Sequence, residues 1–134
     1  EQAPYRALAA RLGVAGRVVW AGAQPDVQRY YAAADAVALP ALYEPFGNVH
    51  LEALASGLPV LASARAGGSE VVSHGRSGWV VQNPEDVGQI REGLEALRQA
   101  GEGWRDVARA AALPFTFEAQ ARFFTDLYRA LGPR

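Results

Sequence analysis

The sequence predicts a single α/β domain built on a doubly wound parallel sheet flanked by helices. Three observations carry this expectation. The candidate strands are short, continuous apolar runs, the pattern of strands buried on both faces. Each run is separated from the next by a helical stretch, the alternation from which parallel crossovers are made. Finally, 134 residues, 50% of them hydrophobic, suffice for one core and leave no room for a second.

From Tyr5 to Leu12 the apolar spacing fits a helix stopped by Gly13, and the run from Arg17 to Gly22 reads as a first buried strand ending in a glycine turn. Pro25 and Asp26 open a second helix that reaches Ala34, and Ala36 to Leu39 form the next strand, stopped by Pro40. After the loop from Ala41 to Phe46, a helix from Gly47 to Ser56 ends at Gly57, and Pro59 to Ala62 form a third strand. Gly67 and Gly68 read most simply as a flexible turn, Ser69 to Ser73 as a short helix, His74 to Gly78 as a turn and Trp79 to Val81 as a fourth strand. Pro84 starts a longer helix running to Gln99, and beyond Gly101 to Gly103 two helices flank Pro114 with no strand after them.

The net charge of −1 arises from 13 basic and 14 acidic residues. They are spread along the chain, which argues against nucleic acid or an anionic membrane as main partner. Cysteine is absent, so there is neither a disulfide framework nor a thiolate metal site. No segment is long or apolar enough for a membrane span or a signal peptide, and the expected compartment is the cytoplasm. Methionine is also absent and every basic residue is arginine, so the chain reads as a fragment of a longer protein.

In a doubly wound sheet the ligand sits at the carboxyl ends of the strands, so the loops after strands are where chemistry is sought. The richest runs from Leu39 to Asn48 and feeds the helix that holds Glu52. Backbone N–H groups of Gly47, Asn48 and Val49 lie where a helix N-terminus offers unpaired donors and a favourable dipole to a diphosphate, and Gly47 lets the backbone come close. Glu44 and Glu52 are eight positions apart, so the two carboxylates can straddle a phosphate and are expected to have different partners.

The run Glu44-Pro45-Phe46-Gly47-Asn48-Val49-His50-Leu51-Glu52-Ala53, continuing through Gly57-Leu58-Pro59-Val60, resembles the signature of family-4 retaining glycosyltransferases. The resemblance extends upstream through Ala36 to Pro40 and downstream through Gly67-Gly68, Glu70 to Val72, Gly75 and Gly78 to Val80. It implies the Rossmann-like C-terminal half of the GT-B architecture, binding a nucleoside-diphosphate sugar without a metal. It further implies that Glu52 binds the ribose hydroxyls, Glu44 acts at the donor sugar as the catalytic carboxylate, and Phe46, Gly47, Asn48 and Val49 meet sugar and diphosphate. The turn from Trp20 to Gln24 would border the base. Family members commonly place two residues between the double glycine and the next glutamate, whereas only Ser69 intervenes here, so no role is assigned to Glu70.

The family's C-terminal domain normally begins with two further βα units carrying a basic pair, and the acceptor site lies in an N-terminal domain. Neither is in this sequence, and the chain alone is expected to recognise the donor without turnover. Any peripheral membrane association would come through that other half.

Other residues have plainer readings beside the sharp ones. Asn48 could be an N-cap as well as a ligand contact, His50 is read as structural or solvent-facing, and His74 as a turn residue. Arg65 could reach a phosphate but reads as solvated, and Trp20 reads as core. Phe115, Phe117, Phe123, Phe124 and Tyr128 either pack on their own domain or form an interface. Two other functions fit the architecture: half of a nucleotide-sugar epimerase, or a flavodoxin-like partner-binding module. The Glu-Pro-Phe-Gly run is not needed by the first, and Asp35, at the wrong end of its strand, does not suit the second. The absence of an Asp-x-Asp pair argues against a metal-dependent transferase.

Overall fold

The computed structural model describes residues 2–132. Three parallel strands form its sheet in sequence order: β1 (Val37–Leu39), β2 (Val60–Ser63) and β3 (Gly78–Val81). Val37 lies opposite Val60, and Val60 opposite Gly78. Around the sheet stand α1 (Ala3–Arg11), α2 (Val27–Ala33), α3 (Asn48–Ala55), α4 (Val87–Gln99), α5 (Glu102–Ala112) and α6 (Phe117–Leu131).

The central strand shows why the apolar runs are unbroken. All residues of β2 are buried, and alternate side chains enter different clusters. Val60 and Ala62 pack with Ala53 and Leu54 of α3 and with Ala108 and Ala112 of α5. Leu61 packs with Val81 of β3 and Leu97 of α4 on the other side. Both faces of the sheet are therefore covered, as a doubly wound α/β fold requires.

The stretch from Arg17 to Gly22 is not a strand. Arg17 closes a 3-10 turn (Ala15–Arg17), and Val18 is extended, with φ −108° and ψ 120°. Among the described residues nothing pairs with this stretch, and Val19 is 89% exposed. The apolar composition is right for a strand, but a strand exists only through hydrogen bonds to a neighbour remote in sequence, which local composition cannot specify.

Two smaller differences have local causes. The expected short helix from Ser69 is a 3-10 turn, Gly67–Val71, one that starts at the double glycine. The longer helix begins at Val87 and not at Pro84, because the Asp86 side chain accepts from the N–H groups of Gly88 at 2.8 Å and Gln89 at 3.2 Å and so sets the first turn. Asp86→Ala is expected to cost about 0.5–2 kcal/mol and Asp86→Asn much less. Urea unfolding of the two variants checks this, and equal losses would show that the cap does not act through its acceptor oxygen.

The aromatic set does not join the core. None of α6 is buried, and Phe117, Phe123 and Tyr128 are 88%, 64% and 68% exposed. Phe124 touches Phe123 edge-on at 5.5 Å and stacks on Tyr128 at 6.3 Å, so the rings contact one another along an open helix face.

Candidate functional site

The loop that leaves the carboxyl end of β1 is held to the loop that leaves β2. Glu44 and Ala66 form a parallel bridge beyond the strand ends, and the Gly67 N–H donates to the Glu44 carbonyl at 3.0 Å. Gly67 and Gly68 then lie against the backbone of Pro45 and Phe46 so closely that a Cβ at either would overlap a carbonyl oxygen. Neither has a positive φ. These glycines are therefore required by close approach between two loops, and the reading of a flexible turn is corrected.

The same loop ends at Gly47, with φ 75° and ψ 86°, which is the N-cap of α3. A Cβ there would lie 2.8 Å from Glu44 Cγ and 2.9 Å from His50 Nδ1, so the Glu44 stem lies beside the helix start. Asn48 is the first helical residue and not a side-chain cap. As residues of the first turn, Asn48 and Val49 have N–H groups with no carbonyl to receive them within the helix, and both residues are exposed. Phe46 is half-buried. Glu52 stands further along α3, about 6 Å along the axis from Asn48 at 1.5 Å per residue. At its far end the helix closes in a Schellman arrangement, with Leu58 N–H on the Ala53 carbonyl at 2.9 Å and Gly57 N–H on that of Leu54 at 2.8 Å. The helix carrying Asn48 and Glu52 is thus pinned at both ends.

His50 is wholly buried between these parts. Its Nδ1 donates to the Gly47 carbonyl at 2.9 Å, because a carbonyl can only accept, and among the described residues its buried Nε2 has no partner. His50 is accordingly structural: it ties the helix to the left-handed residue that starts it.

Glu52 has a partner that the sequence did not suggest. The Tyr31 hydroxyl, from the last turn of α2, donates to Glu52 Oε2 at 2.8 Å. Burial, followed by the hydrogen bond and charge of Glu52, pushes the Tyr31 phenol up to about 12, so it stays a donor at neutral pH. Twenty-one positions separate the pair, and nothing local to either residue marks the contact.

The remaining residues have simpler surroundings. The Arg65 guanidinium lies 3.8 Å from Glu85 with both groups exposed, a contact worth little in water. Trp20 is half-buried beneath the Arg6 guanidinium, 5.0 Å from its ring centroid. His74 accepts from the Val80 N–H at 3.1 Å and its ring lies tilted against Trp79, with centroids 4.2 Å apart, which fixes the turn before β3. Glu70 is exposed on its 3-10 turn. Two shallow recesses, one at Gly88, Arg91, Glu92 and Glu95 and one at Arg29, Tyr30, Ala33 and Ala34, include no residue of the loop after β1. Among the described residues there is no group of three or more His, Cys, Asp or Glu side chains placed to hold a metal ion, and no helix is long and apolar enough to cross a membrane.

Such a site can bind an anion at the helix start, present one carboxylate beside it and hold a second further along the same helix. The family model described as glycosyl transferases group 1 matches residues 1–112. A D-inositol 3-phosphate glycosyltransferase of Nocardioides sp. is 39% identical over 136 residues, covering 91% of this chain and 29% of the relative. The crystal structure of WaaG, a glycosyltransferase involved in lipopolysaccharide biosynthesis, superimposes with a TM-score of 0.76 at 36% identity, over 84% of this chain and 31% of that one. HepE of Anabaena in complex with UDP-glucose gives a TM-score of 0.73 at 28% identity, over 92% of this chain and 36% of that one. The chain spans 29% to 36% of the lengths of these relatives.

Proposed function

The chain belongs to the glycosyl transferases group 1 family, and from that premise we propose that it is the donor-binding, C-terminal half of a family-4 retaining glycosyltransferase of the GT-B type. The observation that carries this reading is the junction at Gly47. A left-handed glycine at the carboxyl end of a parallel strand opens a helix whose first N–H groups are free, with Glu44 beside the opening and Glu52 further along. Free N–H groups and the dipole suit a diphosphate. Carboxylates accept hydroxyl hydrogen bonds, and the family resemblance assigns the ribose to Glu52 and the donor sugar to Glu44.

In this reading the backbone from Phe46 to Val49 holds the diphosphate and sugar, and no metal is needed. Glu44 orients the sugar and stabilises positive charge developing near the anomeric carbon. The other half of the polypeptide supplies the acceptor site, and this chain alone recognises the donor without transferring it. The fold match to HepE, which was solved with UDP-glucose, supports a nucleotide sugar as the ligand class.

A thermal-shift screen of UDP-, GDP- and ADP-sugars on the complete polypeptide tests the reading. One nucleotide class is expected to raise the melting temperature, since ligand at 100 times its Kd adds about 2.7 kcal/mol of stability. No shift with any of them would overturn it.

A further inference from the structure

Glu52 lies on the exposed face of α3 with one of its oxygens already engaged. A glutamate in that position without a partner would move among several rotamers, and a ligand would bear the entropic cost of fixing it. Tyr31 removes much of that freedom. Its ring packs against the cluster formed by Ala53, Leu54 and their neighbours, so the phenol is a donor mounted on the core and carried by only two side-chain torsions. The bond to Oε2 occupies that oxygen, and no hydrogen bond to Oε1 is formed among the described residues.

We propose that Tyr31 is a positioning residue for the nucleotide: its hydroxyl holds Glu52 Oε2 so that Oε1 is presented, already oriented, to a ribose hydroxyl. The proposal rests on the reading of Glu52 as the ribose-binding carboxylate. Tyr31 acts through Glu52 and touches no ligand itself. Its neighbour Tyr30 is 47% exposed and makes no bond to Glu52, which provides an internal control.

The experiment uses the complete polypeptide and whichever of UDP, GDP and ADP binds it most tightly, together with the 2′,3′-dideoxy form of the same diphosphate. Tyr31→Phe deletes the hydroxyl and keeps the ring in the core. It is expected to raise Kd for the ribonucleotide about three- to tenfold, the order of the cost of fixing one freed side chain on binding. It should leave Kd for the dideoxy nucleotide unchanged and lower the melting temperature only slightly, since the bond is also present without ligand, and Tyr30→Phe should change none of the three. On a Glu52→Ala background, Tyr31→Phe should add nothing further, because the acceptor that it orients is already gone.

Equal weakening of both nucleotides would show a merely structural role and overturn the proposal. So would an unchanged Kd for the ribonucleotide, or a full additional loss in the double variant. If Glu52→Gln itself fails to distinguish the two nucleotides, the ribose reading of Glu52 falls and this proposal falls with it. If Glu52→Gln distinguishes them and Tyr31→Phe does not, only the positioning role is lost.

Discussion

Replacing Glu44 by Gln in the complete polypeptide is expected to lower kcat about 100- to 1,000-fold, the loss typical of removing one group aimed at developing charge. Affinity for the bare nucleoside diphosphate should stay nearly unchanged. The reason is placement: Glu44 lies in the loop before α3, beside Gly47, where the donor sugar is proposed to sit. A carboxylate that matters most when positive charge appears near the anomeric carbon acts on the rate and only weakly on ground-state binding. Glu52→Gln should behave differently. It should weaken both the diphosphate and the sugar nucleotide by about 1.5–3 kcal/mol, the value of a hydrogen bond to a charged group. Calorimetry with both ligands on both variants, alongside steady-state kinetics, separates the two. If Glu44→Gln weakened the bare diphosphate as much as Glu52→Gln does, the division of roles would be wrong.

Gly47→Ala is expected to damage stability and site together. The residue sits at φ 75°, where an L side chain meets backbone strain, and its Cβ would lie 2.8 Å from Glu44 Cγ and 2.9 Å from His50 Nδ1. Left-handed strain of about 1–2 kcal/mol and overpacking of about 1–3 kcal/mol act at one atom, for a combined loss of roughly 2–5 kcal/mol. His50 cannot move aside cheaply, because it is wholly buried and bonded to the Gly47 carbonyl. The loop carrying Glu44 must shift instead. Urea unfolding should show the lost stability and calorimetry a weakened nucleotide. Wild-type values for both would mean that the left-handed turn is dispensable.

Much of this architecture was legible in the sequence, and the residues show why. An unbroken apolar run such as Val60-Leu61-Ala62 suits a strand covered on both faces, and β2 is buried on both. Gly57 after an apolar helix is a local stop, and it closes α3 as expected. The rule that ligands sit at the carboxyl ends of parallel strands singles out the loop from Leu39 to Asn48, and that loop joins the end of β1 to the start of α3.

Determined by the sequence alone were the features that depend on neighbours along the chain: the period of apolar residues, the stops at glycine and the order of strand, loop and helix. The tertiary structure decided whatever needs a partner from elsewhere. Val18 and Val19 have strand composition and no strand to pair with. Gly67 and Gly68 are small because Pro45 and Phe46 press against them. The α6 aromatics remain exposed, and Glu52 is held by Tyr31. The physical reason is common to all of these: contacts between segments distant in sequence are set by how the elements pack, and composition at either end does not encode the distance between them.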